Sequence, residues 1–344
     1  RLILADWLEE HGQPERAEFI RVQCQLAQAD DDAPEYPALR RREQQLWLKY
    51  KSLWRTSLPP RMRDFPFRRG FVHPQGIHLT ARRFLQLDED AFADSPLWDV
   101  GLKLRGRVSL NELGGADRLR RLAGLDLDCA EVEAGRLAEL LAAPTLDNLR
   151  SLGIRGGPFT LDHVQAVVES PVLGRLTRLA IRNSPLGREG AELLAVAPGL
   201  RKLSVLELIH CRLGDAGLRA LMTSPHLKGL RELQVPSNGL TASAVRALAE
   251  CRHLRGLRVL DLQHNSLDDD GARALALCPA VDRLTRLDLG LNRIHAPGAA
   301  SLAQSPFLIR VRYLSLLGNP CANDPATVTG LRFRFGDRVT LTER

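Results

Sequence analysis

The residues of this 344-residue chain that could do chemistry are numerous but poorly spaced for it. Its six cysteines, Cys24, Cys129, Cys211, Cys251, Cys278 and Cys321, include no Cys-x-x-Cys pair and no histidine pairing of the zinc type. They read as small buried hydrophobes rather than ligands. Asp268-Asp269-Asp270 has the charge for a hard cation, yet three carboxylates at a helix start are accounted for as cap and dipole partners. Gly153-Ile154-Arg155-Gly156-Gly157 has glycines without the order or the lysine of a phosphate loop. No nucleophile stands at a convincing spacing from a base, and no carboxylates pair. The reading is a non-enzymatic chain with neither cofactor nor metal, so its function rests on how the charges are displayed.

A fixed period displays them. Leu125, Leu152, Leu179, Leu206, Leu233, Leu260, Leu287 and Leu314 recur every 27 residues without a slip, which predicts stacked coils and a broad surface instead of a deep pocket. The surrounding template is L-x-x-L-x-L-x-x-N, intact as Leu257, Leu260, Leu262, Asn265 and as Leu284, Leu287, Leu289, Asn292. That is the leucine-rich repeat. Further apolar columns at Val132, Phe159, Leu186, Leu213, Leu240, Leu267, Ile294 and at Leu140, Val167, Leu194, Leu221, Leu248, Leu275, Leu302 are expected to face inward.

Between these columns lie strong helix formers with apolar residues three and four apart, which predicts one amphipathic helix per repeat. Pro144, Pro171, Pro198, Pro225, Pro279 and Pro306 keep the same register and end each helix, with Arg252 breaking the series. Asn238, Asn265, Asn292 and Asn319 are placed to bridge backbone groups in the turns. Ala130, Gly157, Ser184 and Cys211 replace them earlier, so the early turns are expected to be less regular.

The fold class expected is α/β: a leucine-rich repeat solenoid, or horseshoe, with parallel strands on the concave face and helices on the convex face, preceded by a small helical domain. Parallel strands need cover on both sides, and helices supply it on one. The open face is then lined by the residues alternating with the buried leucines. Early strands place Arg155, Arg178 and Arg182 there; later strands place Glu207, Glu232, Gln234, Asp261, Gln263 and Asp288, and the last full strand Tyr313. A surface that changes sign could orient a protein partner, although side by side these charges could also neutralise one another. Tyr313 is the hot-spot candidate by residue type. His210 and His264 share one repeat position two coils apart, roughly 10 Å at about 5 Å per strand, too far to share a metal.

All four tryptophans precede residue 99, so a different domain begins the chain. Residues 1–29 read as helical, broken at Gly12 and Pro14, with Leu4, Trp7 and Leu8 on one face and Phe19, Val22 and Leu26 on the next. Residues 30–34 read as a linker, 37–54 as a helix ended by Leu58-Pro59-Pro60, Phe67–Val72 as a strand, and 81–92 as a helix. The resulting division is 1–60 companion domain, 61–109 amino-terminal cap with a degenerate repeat, 110–320 repeats and 321–344 carboxyl-terminal cap.

The formal net charge of +7 is uneven: residues 36–83 hold twelve lysines and arginines against Glu43 and Asp64. Arg40, Arg41, Arg42, Lys49, Lys51 and Arg55, interleaved with Trp47, Tyr50 and Trp54, make nucleic-acid binding the alternative function. On a helix such arginines also form a solvated face while the aromatics pack inward. No apolar run resembles a membrane span and no signal peptide is visible, so with thiol cysteines the expected location is cytoplasmic.

The stretch Leu4-Ala5-Asp6-Trp7-Leu8-Glu9-Glu10-His11-Gly12, followed by Pro14-Glu15-Arg16-Ala17-Glu18-Phe19-Ile20-Arg21, resembles the bacterial repeat-companion domain that precedes leucine-rich repeats. Arg69-Gly70-Phe71 and Arg334-Phe335-Gly336-Asp337-Arg338-Val339 resemble that family's cap elements. The resemblance implies an architecture and no catalytic residue. That family has a further helix before the motif, which implies that this chain lacks its first helix. The period also resembles the ribonuclease-inhibitor class, which includes Ran GTPase-activating proteins; the loop arginines Arg188, Arg212 and Arg293 match no activator motif.

Overall fold

The computed structural model describes residues 2–26, 34–56, 67–68, 71–72, 78–86, 99–104, 109–157, 159–251 and 254–342. They divide into two compact units, Arg1–Gly101 and Leu102–Arg344.

In the first unit, α1 (Leu2–Glu10) and α2 (Pro14–Leu26) are separated where Gly12 takes φ +77°, a left-handed turn that glycine adopts without cost. Ala5, Leu8, Ala17 and Ile20 pack between them. Trp7, expected on the inward face, is instead 48% exposed and stacks on His11 with ring centroids 4.0 Å apart. The buried stripe of α1 is narrower than its apolar residues suggest, and the indole finds its cover one turn along the same helix. The third helix, α3 (Tyr36–Thr56), docks on α2 through Phe19, Leu46 and Trp54. The strand expected over Phe67–Val72 is two short strands, β1 (Phe67–Arg68) and β2 (Phe71–Val72), paired antiparallel as a hairpin. Most of the expected linker, Leu58–Pro60, and residues 87–98 lie outside the described residues.

The second unit realises the 27-residue period. After β3 (His78–Thr80), α4 (Ala81–Leu85), β4 (Asp99–Lys103) and α5 (Leu110–Gly115), the strands β5 (Gly124–Asp128), β6 (Ser151–Arg155), β7 (Arg178–Arg182), β8 (Val205–Ile209), β9 (Glu232–Gln234), β10 (Val259–Asp261), β11 (Arg286–Asp288), β12 (Tyr313–Ser315) and β13 (Val339–Thr340) form a parallel ladder in chain order. Its register is the sequence period: Leu206 pairs with Leu233 and Leu233 with Leu260, so the leucines form one column. All eight leucines of that column are buried, as are both further apolar columns. Helices from α6 (Ala134–Leu141) to α12 (Ala296–Ala303) return the chain, each ending two or three residues before the periodic proline or its equivalent. The result is an α/β leucine-rich repeat solenoid.

Side chains tie each coil to the one before it. Asn238 accepts from the Cys211 and Leu213 amides at 2.9 and 3.3 Å and donates to Leu208 O at 2.7 Å and Pro236 O at 3.0 Å. Asn265 and Asn292 repeat this arrangement one and two coils on. Cys211 takes over the donor half: its thiol points at Ile181 O at 3.2 Å and Ile209 O at 3.4 Å, the carbonyls equivalent to those Asn238 uses. Ser184 keeps only the bond to Arg182 O, at 3.0 Å. A second column, unforeseen from the sequence, precedes the periodic proline. There the hydroxyls of Ser170, Ser224 and Ser305 and the thiol of Cys251 donate to helix-terminal carbonyls of the previous coil. These carbonyls are among the four that a helix leaves without internal partners.

Candidate functional site: the open strand face

Alternation along each strand sends one set of side chains into the core and leaves three rows on the face opposite the helices. In the early coils these rows hold an ion-pair network. The middle row runs Asp126, Gly153, Ala180, Glu207 on β5 to β8. Gly153 leaves room for the Asp126 carboxylate lying across it, which a Cβ there would push aside. With only Ala180 beyond, that carboxylate reaches Arg182 at 3.4 Å, two strands away. Arg182 also binds Glu207 at 2.5 Å, and Arg178 grips the other oxygen of Glu207. The clamped Glu207 is only 2% exposed. Arg155 lies 4.0 Å from Asp128.

The late coils are organised differently. Asp261 and Asp288 stand in register on adjacent strands, with Gln234 and Ser315 on either side. Burial pushes the Asp261 carboxyl above its ordinary pKa; Asp288 adds to the rise, and hydrogen bonds from the Gln263 amide at 3.0 Å and side chain at 3.2 Å oppose it. Asp288 accepts from the Gly290 amide at 3.0 Å, with the Arg286 guanidinium 3.9 Å away. Arg286 lies 4.1 Å over the Tyr313 ring, a cation–π contact at the end of this row.

The predicted face residues therefore fall into two groups. Arg178, Arg182 and Glu207 come together in the early network, with Arg155 on its flank; Asp261, Gln263, Asp288 and Tyr313 gather around Arg286, and Glu232 and Gln234 lie between on β9. Asp126 in the early cluster and Arg286 in the late one were not singled out from sequence, although the same alternation rule places them one residue after Leu125 and one before Leu287. Elsewhere, Asp268 caps α11 (Asp269–Ala276) by accepting from Gly271 N at 3.0 Å. Asp269 caps the next helix through the His295 and Gly298 amides at 2.8 and 3.0 Å. No group of three or more metal-ligating side chains occurs among the described residues. Burial lifts the thiol pKa of Cys129 and Cys211 to about 12, well away from nucleophilic use.

The basic helix α3 is largely paired within its own unit. Arg42 makes two 2.7 Å bonds to Glu18, Arg40 meets Glu43 at 3.0 Å, and Lys49 lies 5.0 Å over the Tyr50 ring. Arg41 is exposed, Lys51 half-buried, and the Arg55 side chain lies outside the described residues. The aromatics pack inward: Trp54 sits 4.9 Å and Trp47 6.1 Å, centroid to centroid, from Phe19. No helix among the described residues is long and apolar enough to cross a membrane.

The family described as "Leucine Rich repeat" matches residues 199–222, 253–276 and 284–303. Among solved structures, a chain in the yeast Rad7 and Elc1 complex is 17% identical over 98% of this chain and 91% of that one, with a TM-score of 0.38. A Bacteroides fragilis protein is 17% identical over 70% and 68%, with a TM-score of 0.46. An internalin from Listeria monocytogenes is 14% identical over 75% and 77%, with a TM-score of 0.40. No curated protein sequence matches. The leucine column in register, the asparagines that bridge its turns and the three matched segments are those of a leucine-rich repeat solenoid.

Proposed function

We propose that the protein is a non-catalytic scaffold that holds a protein partner on the open strand face, chiefly over β9 to β12. The observation that carries this reading is the Arg286–Tyr313 stack beside the in-register Asp261–Asp288 pair, with Glu232 half-exposed on the same face. The early network binds Arg178, Arg182 and Glu207 to one another, whereas a cationic side chain arriving beside Asp261 would offset the like charge of Asp288 and gain a pre-oriented acceptor. Tyr313, already held flat by Arg286, offers apolar area with little ordering cost. Residues 1–60 fit the role of a companion domain of the bacterial type, and 110–320 the ribonuclease-inhibitor type of repeat.

The test is affinity capture with wild type and with E232K/D261K/Y313A, each checked for an unchanged melting temperature, beside a helix-side control, E192K. The expected result is a protein retained by wild type and E192K and lost from the triple variant. Identical retained sets for all three would remove the face from its proposed task.

A further inference from the structure

The segments that lead into the strands form a separate feature. In 116–123, 143–150, 170–177, 197–204, 224–231, 251–258, 278–285 and 305–312 there are fifteen lysines and arginines against three aspartates. In the eight segments that follow the strands, 129–136 and its 27-residue equivalents through 318–325, there are four against nine acids. The first set lies along one edge of the sheet, because its backbone is bonded coil to coil: Ser204 N to Thr177 O, Arg231 N to Ser204 O, Arg258 N to Arg231 O and Thr285 N to Arg258 O, at 2.7–2.8 Å.

The charge is most concentrated in the middle. Arg201, Lys202, Lys228, Arg231, Arg255 and Arg258 are all exposed, and their three segments contain no carboxylate. Arg201 leans on His226 Nδ1 at 3.4 Å. The acids Asp117 and Asp147 lie at the early end, where they pair with Arg120 and Arg175. Six charges over three coils about 4.8 Å apart give one per roughly 2.4 Å. An extended acidic peptide presents at most one carboxylate per roughly 3.3 Å, whereas B-DNA carries one charge per about 1.7 Å of axis. Arg201, Lys228 and Arg255 share one repeat position and Arg231 and Arg258 another, so the charges stand in two rows along the edge and recur at every coil. These three segments contain no phenylalanine, tyrosine or tryptophan on which an unpaired base could stack.

From this we infer that the leading edge of the solenoid, centred on Arg201 to Arg258, binds the phosphate backbone of a nucleic-acid duplex without reading its sequence. This site is distinct from the strand face and from the basic helix α3. The experiment is fluorescence anisotropy of a labelled 20-base-pair duplex with the full chain between 50 and 200 mM salt. Wild type is expected to bind with a log–log salt slope of about −5, near −0.9 for each phosphate neutralised. R258Q should reduce the slope by about one. R201Q/K228Q/R231Q/R255Q/R258Q should lose about 100-fold in affinity at 50 mM salt with an unchanged melting temperature. R40Q/R41Q/R42Q should bind as wild type. Absence of binding at 50 mM salt would overturn the inference, as would wild-type affinity in the five-site variant or loss confined to the α3 variant. Displacement by polyglutamate at the same charge concentration as by unlabelled duplex would also overturn it, by assigning the edge to acidic protein segments. Because none of these residues is on the strand face, the outcome is independent of the partner capture above.

Discussion

The early and late coils of this solenoid share a period, a register and a leucine column, and differ in what secures their surfaces. On β5 to β8 charge draws the face together: Arg182 bridges Asp126 and Glu207, and Arg178 holds the second oxygen of Glu207, while the asparagine position holds Ala130, Gly157, Ser184 and Cys211. On β9 to β12 the turns are closed by asparagine, and the face keeps two acids in register with a single guanidinium, Arg286, 3.9 Å from Asp288. The difference teaches that a repeat can locate its stability in the turn or on the sheet, and that the sheet surface which carries less of the stability is the one left for binding.

The sharpest break of this comparison is in the turns. N238A is expected to cost about 3 kcal/mol in urea denaturation, because it leaves the buried Cys211 and Leu213 amides and Leu208 O without partners. S184A removes one bond to Arg182 O and should cost about 1 kcal/mol or less. Equal costs would mean that asparagine is not what closes the late coils. Next in size, E207Q should cost about 2 kcal/mol by leaving Arg178 and Arg182 competing for a neutral amide. That is below the roughly 3–5 kcal/mol of a fully buried pair, since those arginine side chains retain 35% and 27% exposure. A loss under about 0.5 kcal/mol would reduce the early network to ordinary surface charge.

The smallest effect sharpens the late face. Asp261 has a raised folded-state pKa, so the native protein holds its proton more tightly than the unfolded chain does. Its contribution to stability is present below the unfolded-state pKa and is lost as pH rises through the folded-state value. D261N, which cannot ionise, should therefore gain roughly 0.5 kcal/mol at neutral pH, with the gain vanishing as pH falls through the carboxylate range. Thermal melts of both proteins from pH 3 to 8 check this, and curves that stay parallel would show that the carboxyl is not under that stress.

The leucine columns were legible because they depend on residue type and period alone. The early network was not, because it depends on what is missing: Asp126 reaches Arg182 only since Gly153 and Ala180 leave the row empty, and alternation counts side chains without measuring their reach. The serine and cysteine column before the prolines was available as a period, at Ser170, Ser224, Cys251 and Ser305. Its meaning appears only once the carbonyl 29 residues earlier is seen at the end of the previous helix. Trp7 shows the opposite error, an apolar type assigned to the core although its helix buries a narrower stripe. The charge on the leading edge was visible in composition, but only the ladder gathers those short segments along one line.

The asparagine and serine bonds between coils point one way. Asn238, Asn265, Asn292 and Asn319, like Ser224 and Ser305, reach back to the preceding coil. The coils these residues reach are thus fastened by their successors, as roof tiles are held by the next course laid. Shortening the protein from its carboxyl end strips the fastening from whichever coil becomes last, whereas shortening it from the other side leaves each remaining coil still clasped from behind. Fraying should accordingly begin at the carboxyl end and travel toward the amino end, giving an apparently uniform array a built-in direction of unravelling.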